Sequence, residues 1–356
     1  MSDYLSDPLP GRSGKVKILS GFVAALFLVA IMAQTSTMID FRTQIRHVPI
    51  WTDAGYPVGT PFSTPCNAAQ ASGAVLSVTQ KWLAMQTQAV PCATQFNGGS
   101  LQPASGQIIT ISGQIFASES VPIFDIHLGG VIKFLVGATA TSPVTWFGAD
   151  PTDTLESAPQ EQAAIDACAV YGASNFQMAC QISWPAGTYK TSTGLTVYGP
   201  SAQQYEYNGA SLTGAGSFAS VIDWEGGTGS TVLASIGFNT SIRGIHIYNG
   251  SGWRSGYDYD GNSSIGISTN GLIEDLFVDC NGLAGDGITI GRSNHQADTL
   301  TAVSSRAYDC PTGIAVHQIG SNTQGFTWLG GNVGNSWIGW KGASSGNNAT
   351  FVGTDF

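Results

Sequence analysis

A short apolar motif returns at near-constant spacing through the last third of the chain, and it constrains the fold more than any other feature. The pattern is apolar-x-x-apolar-x-apolar. It stands at Ile242, Ile245 and Ile247, and again at Ile273, Leu276 and Val278. Weaker copies follow at Leu300, Val303 and Ser305, at Phe326, Leu329 and Gly331, and at Phe351, Thr354 and Phe356. The first residues of successive copies are 31, 27, 26 and 25 positions apart. A unit of this length cannot bury its own apolar face, so the units must stack into a solenoid. Hairpins of an antiparallel sandwich would show short paired runs without a period. Ile242, Ile273, Leu300, Phe326 and Phe351 are therefore expected in one interior column. Three residues before the copies sit Asn239, Asn270, Ala297, Thr323 and Asn348. Asparagine in three of these five places predicts a ladder of stacked turn amides. A second strand per coil is read at GISTN (Gly266), GITIG (Gly287), GIAVH (Gly313) and IGWKG (Ile338).

Composition agrees with an all-β chain of many turns. Only 10% of the 356 residues are charged and 46 are glycine, yet 42% are hydrophobic, enough for a core. The net charge of −10 excludes nucleic acid and anionic membrane surfaces as partners, since both need a basic face.

Arg12, Lys15 and Lys17 precede an apolar run from Ile18 to Ala33, the layout of an export signal. Residues 1–40 are read as a signal peptide or a membrane anchor acting through residues 18–33. Residues 41–105 are read as a stalk or small accessory region, with a helix near Asn67–Gln88, where Val75, Val78, Trp82 and Met85 recur at helical spacing. Residues 106–356 are the β domain, with leading strands at 106–147 and a helix near 158–171. Six cysteines fit an oxidising compartment, hence a secreted, envelope or virion-surface protein. Their neighbourhoods suggest Cys66 with Cys92, Cys168 with Cys180 and Cys280 with Cys310, although six cysteines allow about 15 connectivities. No CxxC spacing points to zinc. The sequence stops at Phe356 within a motif copy, which leads us to expect a longer natural chain or another chain over that end.

FGADPTD, the following helix with AAID, and WPAGTY together resemble the start of the pectate-lyase-like β-helix superfamily, and LTGAGSFASVI resembles the coil after it. The resemblance covers residues 146–356. It implies a right-handed, single-stranded parallel β-helix, a capping helix at Ala158–Tyr171 and a carbohydrate-facing side wall. Phage tailspikes share these features, and by that analogy a homotrimer is implied. The superfamily's NTD, DD, GHG and RIK catalytic signatures do not carry over: GDGITIG at Asp286 holds only the coil's glycine pattern.

Polysaccharide, or a surface glycan, is thus the expected partner. Glycoside cleavage needs two carboxylates across the bond, about 5–9.5 Å apart, which a β-helix draws from neighbouring coils. Candidates are Asp223, Glu225, Glu274, Asp275, Asp279, Asp286, Asp298 and Asp309. Asp275, Asp279 and Asp286, close in one coil, are the acid/base choice for a hydrolase or lyase. Absence of the superfamily signatures favours the alternative, a non-catalytic virion spike or adhesin. In the loop GSGWRSGYDYDGN, Trp253, Tyr257 and Tyr259 could stack on sugar and Arg254 could fork to a uronate. No cofactor is required. Asp258, Asp260 and Asn262 alternate as in a calcium loop, without the complete twelve-residue pattern.

Overall fold

The computed structural model describes residues 49–57, 59–171, 176–197, 207–208, 210–235, 239–259, 267–268, 270–291, 296–297, 299–316, 325–341 and 349–355. Ile50–Phe356 form one compact unit. Strands pair in parallel across successive coils, and three faces repeat. The first face has eight strands, from Thr141–Pro143 to Ala349–Val352. The second has seven, from Thr152–Glu156 to Asn332–Gly334, and the third has six, from Leu195–Val197 to Ile338–Lys341. Among the described residues only Ala169–Tyr171 pairs antiparallel, with Phe176–Met178. The fold is a parallel β-helix, as the repeat requires.

The interior column of the first face runs Ile242, Ile273, Ala302, Trp328 and Phe351. Leu300 and Phe326, expected in it, instead share the register of Gly271, two residues earlier. Both still point inward, each 2% exposed, because residues two apart share one face of a strand. The amide ladder shifts likewise. The residues at its turn are Asn239, Asn270, Thr299 and Gly325, all with positive φ. Its one observed rung has Asn270 Nδ2 donating to Asn239 Oδ1 at 3.4 Å; Asn348 lies outside the described residues.

The third face also differs from expectation. The strand that pairs with Asp286–Ile290 is Ser255–Tyr259, whereas Ile267–Ser268 of the GISTN segment pairs with Gln296–Ala297 in a separate small sheet. The strand corners of this face are glycine because backbone passes close by. A Cβ on Gly287 would lie 2.6 Å from the Gly313 carbonyl oxygen, and one on Gly313 would lie 2.4 Å from Val333.

Between the first and second faces the chain turns on left-handed residues: Gly244, Asp275 and Ser304 singly, then Gly330 with Gly331, and Gly353. A single αL residue redirects the strand without breaking the inter-coil ladder on either side.

Parallel strands also run through residues 50–134. The helix expected over Asn67–Gln88 is corrected: the helix is Ser63–Ala71, and Val75–Val78 and Lys81–Ala84 are strands. Burial alternates from Lys81 to Ala84, the period of a strand. The expected capping helix spans Ala158–Cys168 and ends three residues early, at a strand Ala169–Tyr171. It takes the place of a third-face strand and packs against Val131–Phe134 on one side and Leu195–Val197 on the other. The three suggested disulfides, Cys66–Cys92, Cys168–Cys180 and Cys280–Cys310, are present. No described helix is long and apolar enough to cross a membrane; the 18–33 segment lies outside the described residues.

The helix carries a buried carboxyl. Glu161 accepts hydrogen bonds from Trp184 Nε1 at 2.7 Å and Thr191 Oγ1 at 2.8 Å. Burial outweighs these two donors and pushes its carboxyl up to about 7. The protonated form is therefore favoured by folding, and this contribution fades as pH rises from about 4.5 to about 7. Glu161→Gln keeps a neutral group of the same shape. It should remove up to about 1.4 kcal/mol of stability loss per pH unit across that window. Denaturant melts of both proteins at several pH values will measure the difference.

Candidate functional site

The outer surface of the second face gathers the side chains that could meet a ligand. In its strands Ile222, Trp224, Ile247, Val278 and Ala307 point inward and are fully buried. The alternating residues must then point outward. They form two columns. One runs Val221, His246, Phe277, Arg306 and Asn332. The other runs Lys190, Asp223, Tyr248, Asp279 and Tyr308. Neighbours within a column are one coil, about 4.8 Å, apart.

A strap covers the first column. The corner between Ser211–Gly214 and Ser220–Trp224 holds five residues, where later corners hold two. This longer corner lies along the wall. Ser217 donates from its backbone N–H and its hydroxyl to the Asp275 carboxylate, at 3.1 and 2.7 Å. Phe218, 71% exposed, places its ring 5.8 Å from that of Phe277, with the Arg306 guanidinium 5.2 Å above it. His246 stacks on Phe277 at 4.3 Å. Burial pushes its imidazole down to about 4, so it is neutral at neutral pH, and its Nε2 is buried without a hydrogen-bond partner.

The second column lies beside the strap, with Asp223, Tyr248 and Asp279 half-buried and Tyr308 exposed. Burial, with Asp153 and Glu225 nearby, pushes the Asp223 carboxyl up to about 6, against an opposing pull from Lys190. Its Oδ1 is buried and has no hydrogen-bond partner. Gly250 keeps this spot open: a Cβ there would stand 2.9 Å from that oxygen. Burial and the neighbouring Asp309 also raise the Asp279 carboxyl, although the Asn281 N–H donates to it at 2.9 Å.

The residues chosen from the sequence are spread around the coil. Asp275 sits at a left-handed corner and holds the strap. Asp279 stands in the second outward column. Asp286 opens a third-face strand, in register with Ser255 and Thr312 on another side of the helix. These three do not converge on one site, because a three-sided coil sends residues a few positions apart onto different faces. Trp253, Tyr257 and Tyr259 are interior, each 1% exposed or less, which corrects their reading as exposed sugar-stacking rings. Trp253 fills the corner against Gly285, where a Cβ would come within 2.2 Å of its indole. Tyr257 shares a 2.6 Å hydrogen bond with Ser235. Arg254 is exposed and donates to Thr231 Oγ1 at 2.8 Å. Asp260, Asn262 and Asp298 lie outside the described residues. No group of three or more His, Cys, Asp or Glu side chains able to hold a metal occurs among the described residues. Sequence reasoning missed Phe218, His246, Tyr248, Phe277, Arg306 and Tyr308. For all but Phe218, which lies in the strap, the signal was the polar or aromatic residue between the inward residues of each second-face strand.

Neither a protein-family model nor a curated protein matches this chain. A solved chain, ORF18 of Geobacillus virus E2, is similar over 60% of this chain and 42% of its own length, at 15% identity and a TM-score of 0.45. A likeness that distant bears on neither family nor function. The resemblance to pectate-lyase-like proteins is met in architecture, by the parallel solenoid, and not by membership of a matched family.

Two outcomes follow from this geometry. Trp253→Ala should cost about 3–5 kcal/mol of stability, as emptying a packed aromatic site does, and will appear as a lowered denaturation midpoint. Asp275→Ala should release the strap, so amide exchange at residues 216–219 rises while exchange in Ile242–Ile247 stays slow.

Proposed function

We propose that this protein binds an extended glycan along the outer second face. The observation that carries this is the column of Tyr248 and Tyr308 alternating with Asp223 and Asp279, bordered by the Phe218 strap. Aromatic faces stack on the apolar faces of sugars, and flanking carboxylates accept from sugar hydroxyls. A column that follows the stack axis suits a linear chain of sugars. The three disulfides fit an extracellular or virion location. Display through the 18–33 segment and assembly as a homotrimer belong to the same reading, that of a surface spike or adhesin.

Cleavage of the bound glycan is the second reading, favoured by one observation: Asp223 and Asp279 share one outward column and both carboxyls are raised, as a general acid requires. Their backbones stand two coils apart, about 9.6 Å, just beyond the carboxyl separation of about 6.5–9.5 Å found in inverting enzymes.

A glycan array probed with the wild type and with Tyr308→Ala tests the binding reading. Retention should fall about tenfold in the variant while the melting temperature is unchanged. Equal retention by both proteins would remove this column as the binding site. New reducing ends released from a retained glycan, and lost in Asp279→Asn, would establish the hydrolytic reading.

A further inference from the structure

We propose that the strap at residues 215–219 is an acid-released cover, which opens when His246 takes up a proton and so bares His246 and Phe277 on the outer second face. The inference is independent of the glycan reading.

The strap crosses one coil and is pinned on the next. Gly216 donates from its N–H to the Gly244 carbonyl, two residues before His246, at 3.1 Å. Glycine at 244 permits the crossing: a Cβ there would stand 3.1 Å from the Gly214 oxygen and 3.2 Å from Gly216. Ser217 is then held by the Asp275 carboxylate, and Phe218 is set on Phe277, the ring on which His246 stacks. The strap lies between the strands Ser211–Gly214 and Ser220–Trp224 and belongs to neither. It can therefore open while the ladders on either side stay paired.

The closed strap has no place for an imidazolium. Both ring nitrogens of the cation carry hydrogen, and Nε2 of His246 is buried without a partner. The neutral ring, with its hydrogen on Nδ1, avoids an unpaired N–H. Val221 and Phe277 flank the imidazole in its column. The titratable side chains around it are Tyr248 on its own strand, Asp223 and Asp279 on the neighbouring strands, Asp275 at the corner and Arg306 beyond Phe277. Burial, and none of these charges, pushes His246 down to about 4. With the strap open the ring meets water and returns toward its ordinary 6.5. The closed form thus binds the proton less well than the open form. Falling pH favours opening across the window from 6.5 to about 4.

The test is NMR on the full chain. Gly216 and Ser217 amides are hydrogen-bonded in the closed strap, so their exchange, corrected for its intrinsic pH dependence, reports opening. Their protection should fall about twentyfold from pH 7 to pH 5, while the amides of His246–Asn249 stay protected. His246→Gln holds no proton to gain and should remove this pH dependence. Phe218→Ala, at an exposed position, should raise the titration midpoint of His246 toward 6.5, and it keeps the test available if His246→Gln fails to fold. A wild-type His246 that titrates near 6.5 overturns the proposal. So does acid loss of protection in His246→Gln equal to that of the wild type, which would make Asp275 or Asp223 the trigger. If the His246–Asn249 amides lose protection together with the strap, the solenoid itself loosens and the cover is refuted.

Discussion

The parallel hydrogen-bond ladder between successive coils is the constraint on which everything else in this molecule depends. Each coil is too thin to bury its own apolar face, and it becomes stable only with a coil on either side. Register across the ladder then imposes itself on both surfaces of every strand. Inside, Ile242 stacks on Ile273 and both are fully buried. Outside, the same register sets Asp223 beside Tyr248 and Tyr248 beside Asp279. An ordered outer column of side chains is thus a by-product of the ladder. Residues a full coil apart in sequence become neighbours without any loop to hold them.

Variation is confined to the corners, where the ladder does not reach. Most corners between the first and second faces are two residues long and turn on one left-handed residue. The first corner is longer, and its extra residues lie down over the wall. Asp275, itself a left-handed corner residue, holds that strap from two coils away. The helix Ala158–Cys168 is a larger variation of the same kind, since it occupies a third-face position between strands. Its Glu161 is tied to Trp184 and Thr191 of the coil that follows.

The strap also decides the electrostatics of the wall. Beneath it, His246 and Phe277 are stacked and the imidazole is kept neutral by burial. Beside it, Asp223 and Asp279 are only half-buried, yet burial together with neighbouring carboxylates raises both. The wall therefore divides into a dry aromatic half and a wetter acidic half.

The apolar motif and the glycines pointed to a stacked solenoid, because each coil must repeat the same inward residues; the cysteine neighbourhoods suggested the three disulfides, and the structure fixed them. They did not settle the register. Leu300 and Ala302 share a strand face, so the pattern fits at either, and only the hydrogen bonds to Gly271 and Ile273 separate them. Trp253, Tyr257 and Tyr259 read as a loop because glycines surround them, whereas those glycines are what allow a close-packed corner around the rings. Asp223 and Asp279 were both visible as candidate acids. That they, and not Asp275 and Asp286, share one outward column follows from which face of a three-sided coil each residue occupies. Local sequence carries no record of that, because it is decided by where the chain turns.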